Sequence, residues 1–592
     1  MNRTRPIQEL DPENIFRLWL QEFEAILLRR DGKALALLCG DESYLKDILA
    51  LEWNFRTHSG AGEIHRALLD GIESRNFRNF RIAPNRTAPA LVRRAGRDLL
   101  EGYFCFNTDI GVCDGFVRLA YSDGDPATMK IWQMLFALNH IHGFADKAGE
   151  NRPSGEHYSQ ITSPHNWRHD RDRERSFADR DPQALIVGAG QSGLMLAARL
   201  KQMGVDALVI ERTERVGDVW RERYNNLTLH NELTANHFPY MPFPETWPIW
   251  LPKDMIAVWL EAYAECMELN VWTGTELVGQ SYDPEAKEWS VTLRLADGTT
   301  RRMRTPHLVA AFGVSGGAPR RPNLPGLEDF KGKVLHSGEF RTGLDWTGKR
   351  ALVIGTGNSG HDVAQDLYVS GAEVAIMQRG PTCVVSLEPS AAISYSVFGE
   401  GRPVEDVDLM IASIPYPVLI ETYQHITRKT DEYDKELLDG LRAVGFKLTS
   451  GDDNTGFQLF YLRGAGGYYI DVGCSPLIIE RKIPLLQAED MDRFVCNGLR
   501  MKDGSVLAYD LVVTATGFEG MQGAIRALLG DEFAEKIGPI WGFDEDFNMR
   551  NMWKRTNQEG FWIMGGAITE ARLFSRYLAL QIRASLDGLI SA

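Results

Sequence analysis

The stretch ALIVGAGQSGLMLAARLKQM at residues 184–203 joins an apolar run of strand length to a glycine-rich turn and then to a helix-forming segment. Its glycines Gly188, Gly190 and Gly193 have the spacing G-x-G-x-x-G. In such a turn the first glycine permits a tight bend, the second lets the backbone approach a pyrophosphate, and the third lets helix and strand pack closely. Amide groups at the start of the helix then face the phosphates. The stretch predicts a dinucleotide-binding β-turn-α unit, with a glycine-rich turn that binds no ligand as the alternative.

The next predicted strand, ALVIE at 207–211, ends in Glu211. A carboxylate at this place accepts hydrogen bonds from the ribose hydroxyls of an adenosine. A glycine motif between a strand and a helix, with an acid closing the following strand, is far more specific than the motif alone. We therefore expect Glu211 to bind the nucleotide.

The same unit occurs a second time, as ALVIGTGNSG at residues 351–360. Its three glycines are Gly355, Gly357 and Gly360, and the segments HDVAQDLYVS and EVAIMQR supply the following helix and strand. The chain therefore carries two predicted dinucleotide sites.

The second site differs from the first where the acid would stand. Gln378 and Arg379 occupy that place, and a guanidinium pairs with a 2′-phosphate that an acid would repel. This favours NADP(H) over NAD(H), with a plain surface charge as the alternative for Arg379. Asn358 and Ser359 open the helix and are expected on the phosphates of this nucleotide.

A pair of such folds, the first suited to FAD and the second to NADPH, implies that electrons pass from nicotinamide to flavin. The expected fold class is α/β, with two nested Rossmann-type domains. Disulfide reductases of this architecture need a redox-active cysteine pair. The seven cysteines are scattered, and the nearest two are Cys105 and Cys113, so the sequence has no C-x-x-C motif. We set that class aside and expect a reducing, cytoplasmic compartment.

Composition excludes other classes. The 592 residues carry a formal net charge of −15, which disfavours nucleic acid and anionic lipid as partners. The most apolar segment, Leu409 to Ile420, has two prolines and is shorter than the roughly 20 residues that a membrane span needs. We expect no transmembrane segment and no metal site.

The charged run RHDRDRERSFADRDP at 168–182 divides the chain, because so many charges predict a solvated linker. The nucleotide-binding part then falls into pieces contributed before and after the second glycine motif. The predicted boundaries are an N-terminal unit at 12–149, a linker at 150–182, an FAD-binding part at 183–320, an NADP-binding domain at 321–510 with an insertion at 389–486, and the rest of the FAD-binding domain at 511–592.

The N-terminal unit reads as helices followed by strand-like runs such as GYFCFNTDI and GFVRLAYS, an α+β layout. It weakly resembles the small α+β cone domains of the SnoaL-like superfamily, which include both enzymes and dimerisation modules. The resemblance implies a pocket that His65, Asp109 and His140 could line. The alternative, which we favour, is that they are surface or satisfied core residues. Homo-oligomerisation through this unit is a further expectation.

Between the glycine motifs, FKGKVLHSGEF at 330–340 fits the pattern F-x-G-x-x-x-H-x-x-x-[Y/F]. Trp220 stands in a G-x-x-W element, and VVTATGF carries Thr516 and Gly517 before a phenylalanine. These elements, in this order, resemble the flavin-containing monooxygenases over about residues 183–590. LHNELTANHFPYMPFP and GAGGYYIDVGCSPLIIE are most similar to the YUCCA-type branch, the indole-3-pyruvate monooxygenases.

The resemblance implies a reaction in which NADPH reduces FAD and the reduced flavin takes up dioxygen as a flavin hydroperoxide. One oxygen atom then passes to a small, partly aromatic substrate, with a 2-oxo acid such as indole-3-pyruvate first. A soft nitrogen or sulfur nucleophile is the second candidate, and a ketone or aldehyde the third. Two other classes stay open: an NADPH oxidase or reductase that only makes peroxide, and an inactive binding protein.

The resemblance also implies roles for single residues. Asn231 aligns with the family's active-site asparagine, although an ordinary turn asparagine is the alternative. His336 is the histidine of the pattern F-x-G-x-x-x-H-x-x-x-[Y/F], which is the fingerprint of the family. We expect it to position the interdomain hinge rather than act as a base. Trp220 and Tyr240 are expected to pack against the flavin, with contact to the substrate as the alternative. The aromatic-rich insertion 389–486 is equally a lid over the substrate or a packed scaffold.

Overall fold

The structure is a computed structural model. It describes residues 11–94, 96–122, 125, 128–153, 166–313 and 316–590. Within these residues, none of the helices combines the length and the apolar character that a membrane crossing requires. All seven cysteines are free thiols.

The N-terminal unit has an α+β layout in which three helices pack on one mixed sheet. The strand order is β2-β1-β7-β6-β5-β3, with β4 also paired to β5; the β1–β7 pair is parallel and the others are antiparallel. The membership of this unit in the SnoaL-like superfamily stays a prediction. Its elements are α1 (Pro12–Leu28), α2 (Gly32–Leu37), β1 (Cys39–Ile48), β2 (Phe55–Ser59), α3 (Gly60–Arg75), β3 (Arg78–Ile82), β4 (Ala90–Arg94), β5 (Arg97–Asn107), β6 (Gly111–Ala120) and β7 (Lys130–Ile141).

The three polar residues suggested for a pocket in this unit have different surroundings. Asp109 is exposed and accepts hydrogen bonds from Arg78 at 2.7 Å and Asn76 at 3.1 Å, so it lines no pocket. His65 packs on Gly32, where a Cβ would lie 2.3 Å from its Nε2. His140 is half-buried on β7, and burial lowers its pKa. The surface interpretation is thus right for Asp109.

The charged run predicted as a solvated linker forms a helix, α4 (Trp167–Ser176). Arg171 is buried, and its guanidinium donates to the Asn270 side chain and, at 2.6 Å, to the Leu269 carbonyl oxygen. Phe177 ends the helix with no exposed surface. The prediction that this run cannot pack is therefore wrong at Arg171 and Phe177, while the other residues of 168–177 are exposed or half-buried. The linker residues 154–165 lie outside the described residues.

The first part of the nucleotide-binding region alternates strands and helices and adds an antiparallel meander, β11-β12-β13. Its elements are β8 (Ala184–Val187), α5 (Gln191–Gln202), β9 (Ala207–Ile210), α6 (Asp218–Arg221), α7 (Lys253–Cys266), β10 (Val271–Trp272), β11 (Glu276–Asp283), β12 (Glu288–Arg294), β13 (Thr300–Thr305) and β14 (His307–Ala310).

The second part contains another glycine loop, between β16 and α8, and the helical insertion. Its elements are β15 (Lys333–His336), β16 (Arg350–Ile354), α8 (Asn358–Val369), β17 (Glu373–Gln378), β18 (Cys383–Ser386), α9 (Val404–Ala412), α10 (Tyr416–Tyr433), α11 (Lys435–Ala443), α12 (Gly456–Gly464), β19 (Tyr468–Asp471), α13 (Cys474–Ile479), β20 (Leu485–Gln487), β21 (Met491–Val495), β22 (Gly498–Met501), β23 (Val506–Ala508) and β24 (Leu511–Thr514).

The chain then returns to the first sheet. The remaining elements are α14 (Gly520–Leu529), α15 (Asp531–Ile537), β25 (Phe561–Ile563) and α16 (Ile568–Leu586).

Two parallel five-stranded sheets result, with the orders β10-β9-β8-β14-β25 and β15-β24-β16-β17-β20. Strands such as β9 and β14 are buried along their whole length, as expected for parallel sheets covered on both faces. The α/β class with two Rossmann-type sheets is thus confirmed. The domain boundaries stay predictions.

The N-terminal unit packs directly on the nucleotide-binding region. The ring of Phe55 lies 5.8 Å from that of Phe574 and 6.3 Å from that of Tyr577, both on α16. The guanidinium of Arg555 donates to the Trp53 carbonyl oxygen at 3.0 Å. The apolar segment from Leu409 to Ile420, noted in the sequence, runs from α9 into α10 on the same side of the molecule, where Val418 packs with Leu99 of β5.

Candidate active site

The first glycine loop has the geometry of a phosphate cradle. Gly188 has a φ of +114°, and a Cβ there would lie 2.6 Å from the Ala311 carbonyl oxygen. A Cβ on Gly193 would lie 2.0 Å from the Gly188 carbonyl oxygen, so neither position accepts a side chain. A Cβ on Gly190 would meet nothing within 4 Å, which leaves open space at the start of α5. That helix begins without a side-chain cap, so its first amide groups can bind an anion.

Glu211 stands beside this loop, at the end of β9. Its Oε2 accepts a hydrogen bond from the Ala189 amide at 2.9 Å, and its Oε1 accepts from the Thr213 amide at 3.0 Å. The two backbone bonds fix the carboxylate against the glycine turn. Oε1 also accepts from the Thr213 hydroxyl at 3.1 Å. Oε2 is therefore the oxygen that can accept a further bond, from a ribose hydroxyl.

The second glycine loop repeats the first. Gly355 has a φ of +116°, and a Cβ there would lie 2.4 Å from the Ala515 carbonyl oxygen. A Cβ on Gly360 would lie 2.0 Å from the Gly355 carbonyl oxygen. The nearest atom to a Cβ on Gly357 would be the Tyr468 carbonyl oxygen at 3.6 Å, so this loop also has an open outer face.

The residues that open α8 are held by their neighbours. The Asn358 side chain accepts a hydrogen bond from the Ile470 amide at 2.9 Å, which ties the loop to β19. Ser359 lies near the Tyr224 hydroxyl, which donates to Asp362 at 2.7 Å. Oδ1 of Asn358 is thus occupied, and among the described residues its backbone amide and side-chain NH2 group are the donors left for a phosphate.

Gln378 and Arg379 have opposite surroundings at the end of β17. Gln378 is buried, and its amide exchanges hydrogen bonds of 2.9 Å and 2.8 Å with the Lys447 backbone. Arg379 is exposed, and within the part of the chain that the structure describes it has no ion pair or hydrogen bond. Gln378 is therefore structural, and Arg379 is the cation available to a phosphate.

His336 is fully buried, and backbone groups occupy both of its ring nitrogens. Nδ1 accepts from the Gly338 amide at 3.1 Å, and Nε2 lies 3.0 Å from the Gly517 carbonyl oxygen. This pairing makes Nε2 the protonated nitrogen, and burial lowers the pKa of the ring. The Phe518 ring packs edge-on at 5.0 Å. With both nitrogens engaged by backbone groups, neither is left for a ligand.

Thr516 and Gly517 hold the crossing between the two domains. The Thr516 hydroxyl donates to the Arg320 carbonyl oxygen at 2.5 Å, and the Arg320 amide donates to the Gly517 carbonyl oxygen at 2.9 Å. The segment that follows β24, His336 and the backbone of Arg320 are therefore joined by hydrogen bonds.

Trp220 lies in the short helix α6, which follows β9 in the chain. The helix follows Gly217, which has a φ of +92° and where a Cβ would lie 2.4 Å from the Ala257 carbonyl oxygen. The indole Nε1 of Trp220 is buried without a hydrogen-bond partner among the described residues. A buried donor of this kind suits a ligand that brings its own acceptor.

Asn231 is half-buried, and its carbonyl oxygen accepts from the Asn236 side chain at 3.0 Å. Its own side-chain amide bonds to none of the described residues, so it is free for a ligand.

Tyr240 is placed elsewhere: its ring lies 4.7 Å from the Arg199 guanidinium, and its hydroxyl donates to Asp146 at 2.8 Å. Tyr240 thus belongs to the junction with the N-terminal unit rather than to the glycine loop.

Comparison with known proteins agrees with this arrangement. The family model described as pyridine nucleotide-disulphide oxidoreductase matches residues 185–398. The chain is 32% identical over 347 residues to the indole-3-pyruvate monooxygenase YUCCA1 of Oryza sativa subsp. japonica, a match that covers 57% of this chain and 77% of that protein. The chain belongs to the flavin-dependent monooxygenase family.

Other members are similar over the same region. The indole-3-pyruvate monooxygenase YUCCA6 of Arabidopsis thaliana is 34% identical over 290 residues, which cover 45% of this chain and 68% of that protein. The crystal structure of OTEMO in complex with FAD and NADP shares the fold, with a TM-score of 0.51 and 18% identity over 69% of this chain and 86% of that chain. The predicted kinship with flavin-dependent monooxygenases is confirmed.

The insertion of this monooxygenase contributes a cavity of about 420 Å³ that includes Ser394, Tyr423 and Gln458 in its wall. Tyr461, on α12, accepts a hydrogen bond through its hydroxyl from the Ala567 amide at 2.9 Å, immediately before α16. Tyr468, on β19, borders the second glycine loop. The insertion thus spans from the second loop to the helix that closes the first domain.

Glu570, in the first turn of α16, is a second acid of this region in addition to Asp431, which lines the cavity. Its Oε2 is buried without a hydrogen-bond partner among the described residues. Burial raises the pKa of Glu570. Burial, followed by the charge of this carboxylate, raises the pKa of Tyr468 to about 12 and also raises those of Tyr395 and Tyr423. The charge of Glu570 also contributes to the raised pKa of Tyr461, so it acts on four phenols of the insertion.

Sequence reasoning missed Glu570 because the segment TEARLF looks like any amphipathic helix start. It also left the tyrosines of the insertion undecided between lid and scaffold. The available signal was the density of tyrosines between residues 395 and 469, which a solvated lid does not need.

Proposed function

We propose that this flavin-dependent monooxygenase binds FAD at the first glycine loop and NADPH at the second, and uses dioxygen to oxygenate a small, partly aromatic substrate. The observation that carries the proposal is the pair of glycine loops, each with an open outer face at its second glycine, in a single chain.

The residues at the first loop fit FAD. Gly190 leaves room for a pyrophosphate beside the uncapped start of α5, and Glu211 can receive ribose hydroxyls. The unpartnered indole N–H of Trp220 can donate to the flavin end. When bound, the flavin accepts hydride from NADPH and activates dioxygen.

At the second loop, Gly357 admits the pyrophosphate and Arg379 pairs with the 2′-phosphate. Asn358 and Ser359 keep the loop fixed against β19 and Tyr224. Asn231 presents its amide to the cofactor pair as a neutral hydrogen-bonding group, which supplies no proton that would release peroxide.

His336 has a different task. One of its hydrogen bonds is to Gly338 in its own turn, and the other is to Gly517 in the segment after β24. His336 thereby links the two segments and keeps the two nucleotide domains in a fixed relation. The insertion and α16 exclude water from the space between them, and water exclusion is what keeps oxygen transfer coupled to NADPH oxidation.

An aromatic 2-oxo acid such as indole-3-pyruvate is the first substrate candidate, since indole-3-pyruvate monooxygenases are among the most similar relatives. Two observations favour a soft nitrogen or sulfur nucleophile as the second substrate candidate. The unpaired Glu570 disfavours a carboxylate nearby, and Arg442, the cation lining the cavity, already pairs with Asp439 at 2.8 Å. A cytoplasmic location is part of the proposal.

The test uses the purified full chain. We expect a yellow protein that releases FAD, a lower KM for NADPH than for NADH, and one product per NADPH with either indole-3-pyruvate or an aromatic amine. Near-stoichiometric hydrogen peroxide with every substrate would identify an NADPH oxidase instead. A colourless protein that does not take up FAD would leave only a binding role.

A further inference from the structure

The N-terminal unit meets the insertion through buried charged groups. Asp406, on α9, accepts hydrogen bonds from the Arg86 guanidinium at 2.8 Å and from the Thr87 amide and hydroxyl, each at 2.6 Å. The Tyr103 hydroxyl donates to the Asp406 carbonyl oxygen at 2.9 Å. Only 1% of the Asp406 side chain is exposed. Because Arg86 also pairs with Asp114 at 2.7 Å, one guanidinium neutralises a carboxylate on each side of the junction.

Further contacts fix the segment that leads into α9. Arg94 pairs with Glu400 through two hydrogen bonds of 2.5 Å, and Arg402 donates to Glu101 at 2.7 Å. The Glu101 and Arg402 side chains are 2% and 10% exposed. Buried ions of this kind are stable only with their partners in place, so the junction is a permanent one.

The opposite side of α9 holds the helix that contributes Glu570. Asp408 binds the Arg572 guanidinium through two hydrogen bonds of 2.8 Å and 2.6 Å, and both side chains are buried. Residues two apart on a helix point about 200° away from each other. Asp406 and Asp408 therefore hold the N-terminal unit on one side of α9 and α16 on the other.

Arg572 in turn holds a second segment, the turn at residues 231–237. Its Nη1 donates to the carbonyl oxygens of Ala235 at 2.7 Å and His237 at 2.9 Å, in the turn that follows Asn231. Arg572 is also one turn inside α16, two residues after Glu570. The chain of contacts from the N-terminal unit thus ends on the two segments that carry the proposed active-site side chains.

We propose that the N-terminal unit is a permanent brace of the active site, in which Arg86, Tyr103 and Asp406 are positioning residues that act through Asp408 and Arg572. Loss of the brace loosens the start of α16 and the turn 231–237, and so admits water. The inference rests on the proposed monooxygenase function only for its activity readout. It gives the N-terminal unit a task within its own chain.

The experiment compares three variants of the full, FAD-loaded chain. Tyr103→Phe removes one hydrogen bond and keeps the buried ring, and Arg86→Gln removes the shared cation. Arg93→Gln is the matched control, because Arg93 lies in the same unit in an exposed ion pair with Asp98. Hydrogen exchange is followed at residues 568–576 and 231–237, and hydrogen peroxide formed per NADPH is measured beside it.

We expect exchange at both segments to rise about fivefold in Tyr103→Phe, as for one lost hydrogen bond, and further in Arg86→Gln. The peroxide fraction should rise in the same order, with the control at the wild-type value. Exchange changes confined to the N-terminal unit, with a wild-type peroxide fraction, would overturn the brace. If Arg86→Gln does not fold, Tyr103→Phe decides. If the wild type consumes no NADPH, the proposed function fails while the exchange result still decides.

Discussion

Replacing Gly190 by valine separates binding of FAD from folding of the chain. Gly190 has a φ of −75° and a ψ of −178°, an extended conformation that a β-branched residue adopts without strain. A Cβ there meets no protein atom within 4 Å, so the protein should fold. The side chain instead occupies the space of the pyrophosphate. If it displaces two amide-to-phosphate hydrogen bonds of about 1.5–3 kcal/mol each, FAD affinity falls about 10²- to 10⁴-fold.

The assay is the flavin content of the purified variant and its Kd for added FAD, beside a circular dichroism spectrum. Gly357→Val is the reciprocal control, because its Cβ also meets only open space apart from the Tyr468 carbonyl oxygen at 3.6 Å. That variant should stay yellow and lose NADPH binding. A Gly190→Val protein with wild-type flavin content would refute the placement of FAD, and loss of flavin in Gly357→Val with unchanged NADPH affinity would refute the assignment of the two loops.

Three further predictions concern single side chains. Arg379→Ala should raise the KM for NADPH about tenfold or more and leave that for NADH unchanged, since one charge-assisted phosphate contact is lost; equal changes for both cofactors in steady-state kinetics would contradict the role. Asn231→Ala should increase the hydrogen peroxide formed per NADPH at constant flavin content, and an unchanged ratio would remove Asn231 from the active site. Burial raises the pKa of Asp362 to about 6 from 3.8, so the folded protein binds a proton more tightly than the unfolded chain and loses stability as pH rises through that interval. The loss amounts to as much as about 3 kcal/mol, and Asp362→Asn should not show it, because the amide carries no charge. Melting temperatures measured from about pH 4 to 7 should therefore shift increasingly in favour of the variant, and a difference that does not change with pH would contradict the shift.

The glycine loops could be predicted from sequence because their requirements are local. A positive φ at Gly188 and a close approach at Gly193 admit no other residue, so the spacing of glycines after an apolar run records the geometry directly. The same holds for the second loop. The α/β class followed from these two units.

The linker prediction failed for the opposite reason. Ten charges in fifteen residues describe the composition of 168–182 but say nothing of distant partners. Arg171 is buried because the backbone of Leu269 and the side chain of Asn270, about a hundred positions further along, satisfy its guanidinium. A charge that finds such partners can pack.

The contacts that form the brace could not be predicted from the sequence for the same reason. Arg86 and Asp406 are 320 residues apart, and nothing in either local stretch names the other. The surroundings of Glu570 could not be predicted from the sequence either. They depend on which tyrosines the insertion brings near its Oε2 atom. Sequence patterns therefore located the two glycine loops and did not define the side chains that surround them.

The two nucleotide units are built alike and differ at one place. Gly188 faces the carbonyl oxygen after β14, and Gly355 faces the one after β24, so both loops use the same close approach to a neighbouring strand. The difference lies at the end of the second strand of each unit, in Glu211 and in the pair formed by Gln378 and Arg379. Glu211 accepts a hydrogen bond from the Ala189 amide, so it shapes the loop in addition to its proposed contact with ribose. Exchanging the acid for arginine would leave that amide unpaired, and cofactor preference at the first site therefore cannot be inverted by charge alone.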